Sequence, residues 1–110
     1  MEATVIPRPD LDRELGDFGT LSRQAQVTAA PAGGFQLTHV RPGSFVSRVG
    51  LRAGDVILRV DGRAINKLED AAAAYAWLRV TDRFTVDVVR AGQPMRLHYI
   101  IAPTGSRATR

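Results

Sequence analysis

Between Gly50 and Gly62 the chain reads Gly-Leu-Arg-Ala-Gly-Asp-Val-Ile-Leu-Arg-Val-Asp-Gly, and this stretch restricts the fold more than any other. Gly50 can end a short helix in a left-handed conformation, with Leu51 folding back onto it. Ala53-Gly54-Asp55 forms a tight turn. Val56 to Val60 is a mostly apolar run of strand length, as a central strand requires. Asp61-Gly62 is a strong turn signal, and Ala64-Ile65 resumes an extended path.

The remaining elements follow from periodicity. Residues 1–9 carry Pro7 and Pro9 and no apolar period, which suggests a tail. Asp10 can cap a short helix. Leu11, Leu15, Phe18 and Leu21 recur at helical spacing, broken by Gly16 and Gly19. Gln24 to Thr28 suits a short strand before the soft segment Ala29 to Gly34. Phe35 to Val40 alternates apolar and polar residues, the strand period. Ser44 can cap a short helix reaching Val49. Asn66 is the expected cap of the longest helix, Leu68 to Arg79, whose apolar stripe is Leu68, Ala71, Ala72, Tyr75 and Leu78. Its alanines let it lie close to a sheet. Phe84 to Arg90 is a strand, Ala91-Gly92-Gln93 a hairpin turn, and Met95, Leu97, Tyr99 and Ile101 share one face of the return strand. The order predicts a small α+β domain with a mostly antiparallel sheet.

A length of 110 residues suits one such domain. The absence of cysteine excludes disulfides, Cys-based zinc sites, thiol nucleophiles and Fe–S clusters. The longest apolar run, Ala71 to Leu78, is too short to span a bilayer, and no signal peptide is visible. Of the 15 basic residues only Lys67 is a lysine, and the net charge is +4. The arginines stand singly, without basic runs or interleaved aromatics, which argues against nucleic acid as a partner.

Catalytic chemistry finds no support. His39 and His98 are lone strand histidines without the carboxylate company of a metal site. Ser44 lies in Pro-Gly-Ser-Phe, outside a nucleophile elbow, and suits a helix cap better than a dyad with His39. No HExxH motif and no phosphate-binding loop is present. The chain is expected to be non-enzymatic, without cofactor or metal.

Three segments carry a resemblance. They are Gly33-Gly34-Phe35-Gln36-Leu37 with Val40-Arg41-Pro42-Gly43-Ser44, then Gly50 to Gly62, then Thr85 to Gln93. Together, over about residues 33–101, they closely resemble a bacterial PDZ domain. The N-terminal helical segment from Leu11 to Arg23, the Ala74-Tyr75-x-x-Leu78 helix ending and the final Leu97-His-Tyr-Ile-Ile101 strand look most like the periplasmic end of type II secretion system protein C (GspC). The resemblance implies a partly open β-barrel or sandwich of five to six mostly antiparallel strands, with one short and one longer helix and an N-terminal helical segment. It divides the chain into a flexible tail (1–9), an N-terminal helical segment and linker (10–32), the PDZ unit (33–102) and a second tail (103–110).

It also implies a site. An extended peptide adds as a strand to an exposed sheet edge, held by main-chain hydrogen bonds. By carry-over that edge is the Phe35–Val40 strand, which includes Gln36 and His39, and the opposite wall is the long helix. Gly33-Gly34-Phe35 matches the loop whose amides cradle a carboxylate, although it could equally be a plain turn. Phe35 and Leu37 would floor an apolar pocket. Leu68, Ala72 and Tyr75 would face the groove, and Ala71, Ala74 and Leu78 the core. No Lys or Arg stands just ahead of the loop, so pairing with an internal segment is as open as capture of a C-terminus. The expected role is a monomeric, non-catalytic docking module at the periplasmic side of the inner membrane. It would reach the membrane only through an upstream anchor. Its partners would be a secretin, other machine components or exported cargo. The alternative is a regulatory, substrate-binding domain of a periplasmic HtrA-type serine protease or a membrane metalloprotease.

Overall fold

The computed structural model of the chain describes residues 3–16 and 23–103. Its elements are β1 (Thr4–Pro7), α1 (Arg8–Leu15), β2 (Ala25–Ala29), β3 (Phe35–Val40), α2 (Phe45–Arg48), β4 (Val56–Val60), β5 (Arg63–Ala64), α3 (Leu68–Leu78), β6 (Arg83–Arg90) and β7 (Gln93–Ala102). Six strands form one mixed sheet in the order β1-β7-β6-β4-β3-β2, with β5 attached to β4. Only β1 pairs parallel, with β7; the other pairings are antiparallel. The α+β class with a PDZ-like sheet is the one the sequence implies.

The Gly50–Gly62 stretch folds as its glycines dictate. Ser44 Oγ accepts from Ser47 N at 3.2 Å and caps α2. Gly50, at φ 94°, ends that turn, and Leu51 N returns to Val46 O. Val56–Val60 lies inside the sheet between β3 and β6. The β6–β7 hairpin turns through Ala91 (φ 52°) and Gly92 (φ 78°), two left-handed residues whose twist matches the strands.

The N-terminus departs from expectation. Residues 4–7 form β1 rather than a tail, with Ile6 buried opposite Ile101. Helix α1 begins one residue after Pro7, so Asp10 sits inside its first turn and pairs with Arg13 instead of capping. Leu11 and Leu15 are buried in the same cluster as Phe84, Val86, Val88, Tyr99 and Ile101. Phe18 and Leu21 lie outside the described residues. Arg8 fixes this segment to the helix opposite. Its guanidinium donates to Leu78 O and Arg79 O at 3.1 and 3.4 Å, and to Thr81 O, where carbonyls at the end of α3 lack helical partners.

Buried polar groups brace the core. Asp55, 1% exposed, takes Arg90 and the Arg52 amide. Tyr99 stacks on Phe84 with ring centroids 4.8 Å apart and donates its hydroxyl to Val49 O at 2.7 Å. No helix among the described residues is long and apolar enough to cross a membrane.

Candidate functional site

Among the described residues the sheet ends at β2, and this corrects the expected edge. Strand β3 pairs with β2 along its whole length and with β4 at Phe35 and Gln36. It lies inside the sheet, between β2 and β4, and is not a terminal strand. A strand cannot announce its place in the sheet order by its own alternation, which reports only which face is apolar. The terminal strand is β2, where Gln26, Val27, Thr28 and Ala29 are exposed. Val27 is 55% exposed, a large apolar side chain on a strand with an open side.

The glycine turn between β2 and β3 is also differently employed. Gly33 and Gly34 have φ of 104° and 85°, so their conformation favours glycine. Gly33 N already donates to Ala30 O at 3.0 Å, and Gly34 N to Asn66 Oδ1 at 2.9 Å. Neither amide remains to cradle a carboxylate. Gly34 is further required by close approach, because a Cβ there would lie 2.4 Å from Ile57 O.

The bond between Gly34 N and Asn66 positions the start of α3. Lys67, not Asn66, is the N-cap residue of α3, and Lys67 makes no side-chain cap bond. Asn66 instead accepts from Gly34 N through its side-chain Oδ1, while its backbone N–H donates to Asp70 Oδ2 at 2.9 Å. The start of α3 is thereby tied to the turn that ends β2. Farther along, Trp77 Nε1 donates to Asp61 Oδ2 at 2.8 Å, and the Arg63 guanidinium stands 5.4 Å from the Trp77 ring centroid. These contacts hold the helix to the β4–β5 turn, and Leu78 packs on the core.

The expected site residues divide accordingly. Ala72 is exposed on α3. Tyr75 is half-buried and packs against the core cluster, as Leu78 does. Leu68 opens α3, and its side chain lies outside the described part. Leu37 is 3% exposed, with Phe35 and Gln36 half-buried beside it. His39 is exposed on β3 opposite Gln26. His98 belongs to β7, so the two histidines are separated by β6 and β4. The residues that the sequence reading passed over are those of β2, whose short polar pattern carried no sign of its terminal position.

Comparison with known proteins agrees with this fold. The family model described as "PDZ domain" matches residues 18–99, starting ahead of β2 rather than at the glycine turn. The magnetosome formation protease MamE of Magnetospirillum gryphiswaldense is 37% identical over 79 residues, which is 71% of this chain and 10% of that protein. Among solved structures, an HtrA-type protease, AlgW, with a decapeptide is similar at a TM-score of 0.57 and 22% identity, covering 77% of this chain and 30% of that one. The PDZ domain of EpsC from Vibrio cholerae is similar at a TM-score of 0.56 and 11% identity, covering 82% of this chain and 90% of that one. The chain thus spans about a tenth of the length of the curated relatives it matches.

Proposed function

The chain belongs to the PDZ domain family, and we propose that it docks an extended protein segment as an added strand on β2, with α3 as the facing wall. The observation that carries this is the place of β2 at the end of the sheet among the described residues, bearing exposed Val27. Main-chain pairing along β2 supplies affinity, and side chains of the guest meet Ala72 and its neighbours on α3. Phe35, Gln36, Leu37 and His39 support β2 from behind, and Gly33 and Gly34 hold the turn. The donated glycine amides favour recognition of an internal segment over capture of a terminal carboxylate at that turn.

For the parent protein, the 37% identity to a protease over 71% of the chain favours a substrate-binding or regulatory domain of an HtrA-like enzyme. A second reading is a docking module of a type II secretion protein at the periplasmic face of the inner membrane, with a secretin, machine components or cargo as partners. It rests on the N-terminal helical segment and the Ala74-Tyr75-x-x-Leu78 ending. Under both readings the domain itself performs no chemistry.

The test is NMR titration of the labelled chain with decapeptides carrying free or amidated C-termini. Saturable shifts at residues 25–29 and 69–76 with both forms are expected. Shifts confined to other strands would refute the groove, and binding by the free-carboxylate form alone would refute internal-segment recognition.

A further inference from the structure

We propose that the outer face of β4, β6 and β7 is a second docking surface, fitted to an acidic protein segment. Sheet register brings three charged residues into one row across these strands. Arg59 lies opposite Asp87, and Asp87 opposite Arg96. Arg59 Nε donates to Asp87 Oδ2 at 2.9 Å, and Arg96 Nε to Asp87 Oδ1 at 2.7 Å. Both arginines thus approach through Nε. The terminal amino groups of Arg59, and Nη1 of Arg96, make no hydrogen bond among the described residues.

The row is over-supplied with positive charge. One carboxylate balances one guanidinium, and a second leaves a whole charge over. The Arg59 and Arg96 side chains are 47% and 60% exposed while Asp87 is covered beneath them at 9%. The covered carboxylate takes one bond from each arginine, which braces the three strands, yet about half of each arginine side chain still faces solvent. Guanidinium groups fixed at one end and open at the other suit a carboxylate arriving from outside.

The surroundings choose the class of partner. A shallow depression of about 580 Å³ is lined by Leu58, Pro94 and Met95 together with Arg59, Arg96 and His98. Apolar side chains beside arginines bonded on one side only fit a protein segment that alternates carboxylates with apolar residues. The surface is separate from the proposed groove, because β3 stands between β4 and β2.

The probe is the blocked peptide acetyl-Glu-Leu-Glu-Leu-Glu-amide, titrated into the labelled chain at low salt, with the Gln-for-Glu peptide as control. Saturable shifts at residues 58–59, 87 and 94–98 are expected, with about tenfold weaker binding in 0.5 M salt. Asp87→Asn removes the internal competitor and should tighten binding several-fold, although it weakens the fold. The triple variant Arg59→Gln/Asp87→Asn/Arg96→Gln, which leaves no unpaired buried charge, should lose binding and keep its shift pattern elsewhere. Absence of saturable shifts, equal binding of the Gln peptide, or loss of binding on Asp87→Asn in a folded protein would overturn the proposal. So would shifts confined to β2 and α3, which would place the peptide in the groove. Tighter binding of inorganic phosphate or an oligonucleotide at the same residues would overturn the protein partner.

Discussion

Arg90 closes a fork on Asp55, its Nε and Nη2 donating to the two carboxylate oxygens at 2.9 and 2.8 Å across 35 residues of chain. The same Nη2 reaches Gly50 O at 2.7 Å, so one guanidinium joins the end of α2, the turn before β4 and the end of β6. Asp55→Ala should destabilise the domain by about 3 kcal/mol in urea denaturation, because it leaves Arg90 without its counter-charge in a mostly buried place. Arg90→Ala should cost a similar amount. The double variant should cost far less than the two added together. Additive losses would show that the two residues act independently.

The pH dependence follows from the same pair. Burial pushes the Asp55 carboxyl up, but the bond from Arg90, the Arg52 amide and both arginine charges outweigh it and hold the group below its ordinary value. Arg96 first, then Arg59, holds Asp87 low against the effect of its burial. Stability from both carboxylates is therefore present above their unfolded-state value of 3.8 and is lost as pH falls through the lower folded values. Tyr99 sets the alkaline side. Burial pushes its hydroxyl up to about 12 from 10.0, so the folded state resists ionisation and loses stability as pH rises between those values. Chemical denaturation across pH should show both limbs, with Asp55→Asn flattening the acid one and Tyr99→Phe the alkaline one.

Gly34 ties the sheet to the helix. Alanine there must accept a positive φ and a Cβ 2.4 Å from Ile57 O, so β3 and β4 must separate. Gly34→Ala should cost about 3 kcal/mol, more than the cost of a left-handed alanine alone. Thermal denaturation checks this, and a loss under about 0.5 kcal/mol would show that the turn relaxes freely.

These residues also show what a sequence can and cannot reveal. The Gly50–Gly62 stretch was readable because its glycines act locally, as did the Ser44 cap and the Ala91-Gly92 hairpin. Strand β1 was not, since its four residues are held by a parallel partner, β7, almost the length of the chain away. Asn66 was misread because capping rules consider only the local helix, whereas its side chain serves Gly34, 32 residues earlier. The site suffered most. Strand order decides which edge is open, and order is a property of the assembled sheet, so the alternation of Phe35–Val40 points to β3 although the terminal described strand is β2. The Arg59–Asp87–Arg96 row is likewise a product of register.

Arg8 offers a test of how firmly the N-terminal segment is held. Its guanidinium is the contact that joins α1 to the carbonyls ending α3. Arg8→Gln should raise amide exchange in residues 4–15 several-fold while leaving β6 and β7 protected, because only one side of the segment is released. Uniform exchange across the domain would mean that α1 and the sheet open together.

The proposed groove can be blocked without touching the core. Ala72 is exposed on α3, and a long side chain there has room in the free protein. Ala72→Arg should leave the Tm within about two degrees and weaken decapeptide binding at least fivefold, by obstructing the space that a guest strand on β2 would occupy. Val27→Asp tests the opposite wall. It places a charge on an already exposed strand position, so folding should survive while the affinity for apolar decapeptides falls. If both variants bind as the parent does, β2 and α3 do not enclose the guest. If only the Val27 variant is impaired, the guest pairs with β2 but leans away from the helix.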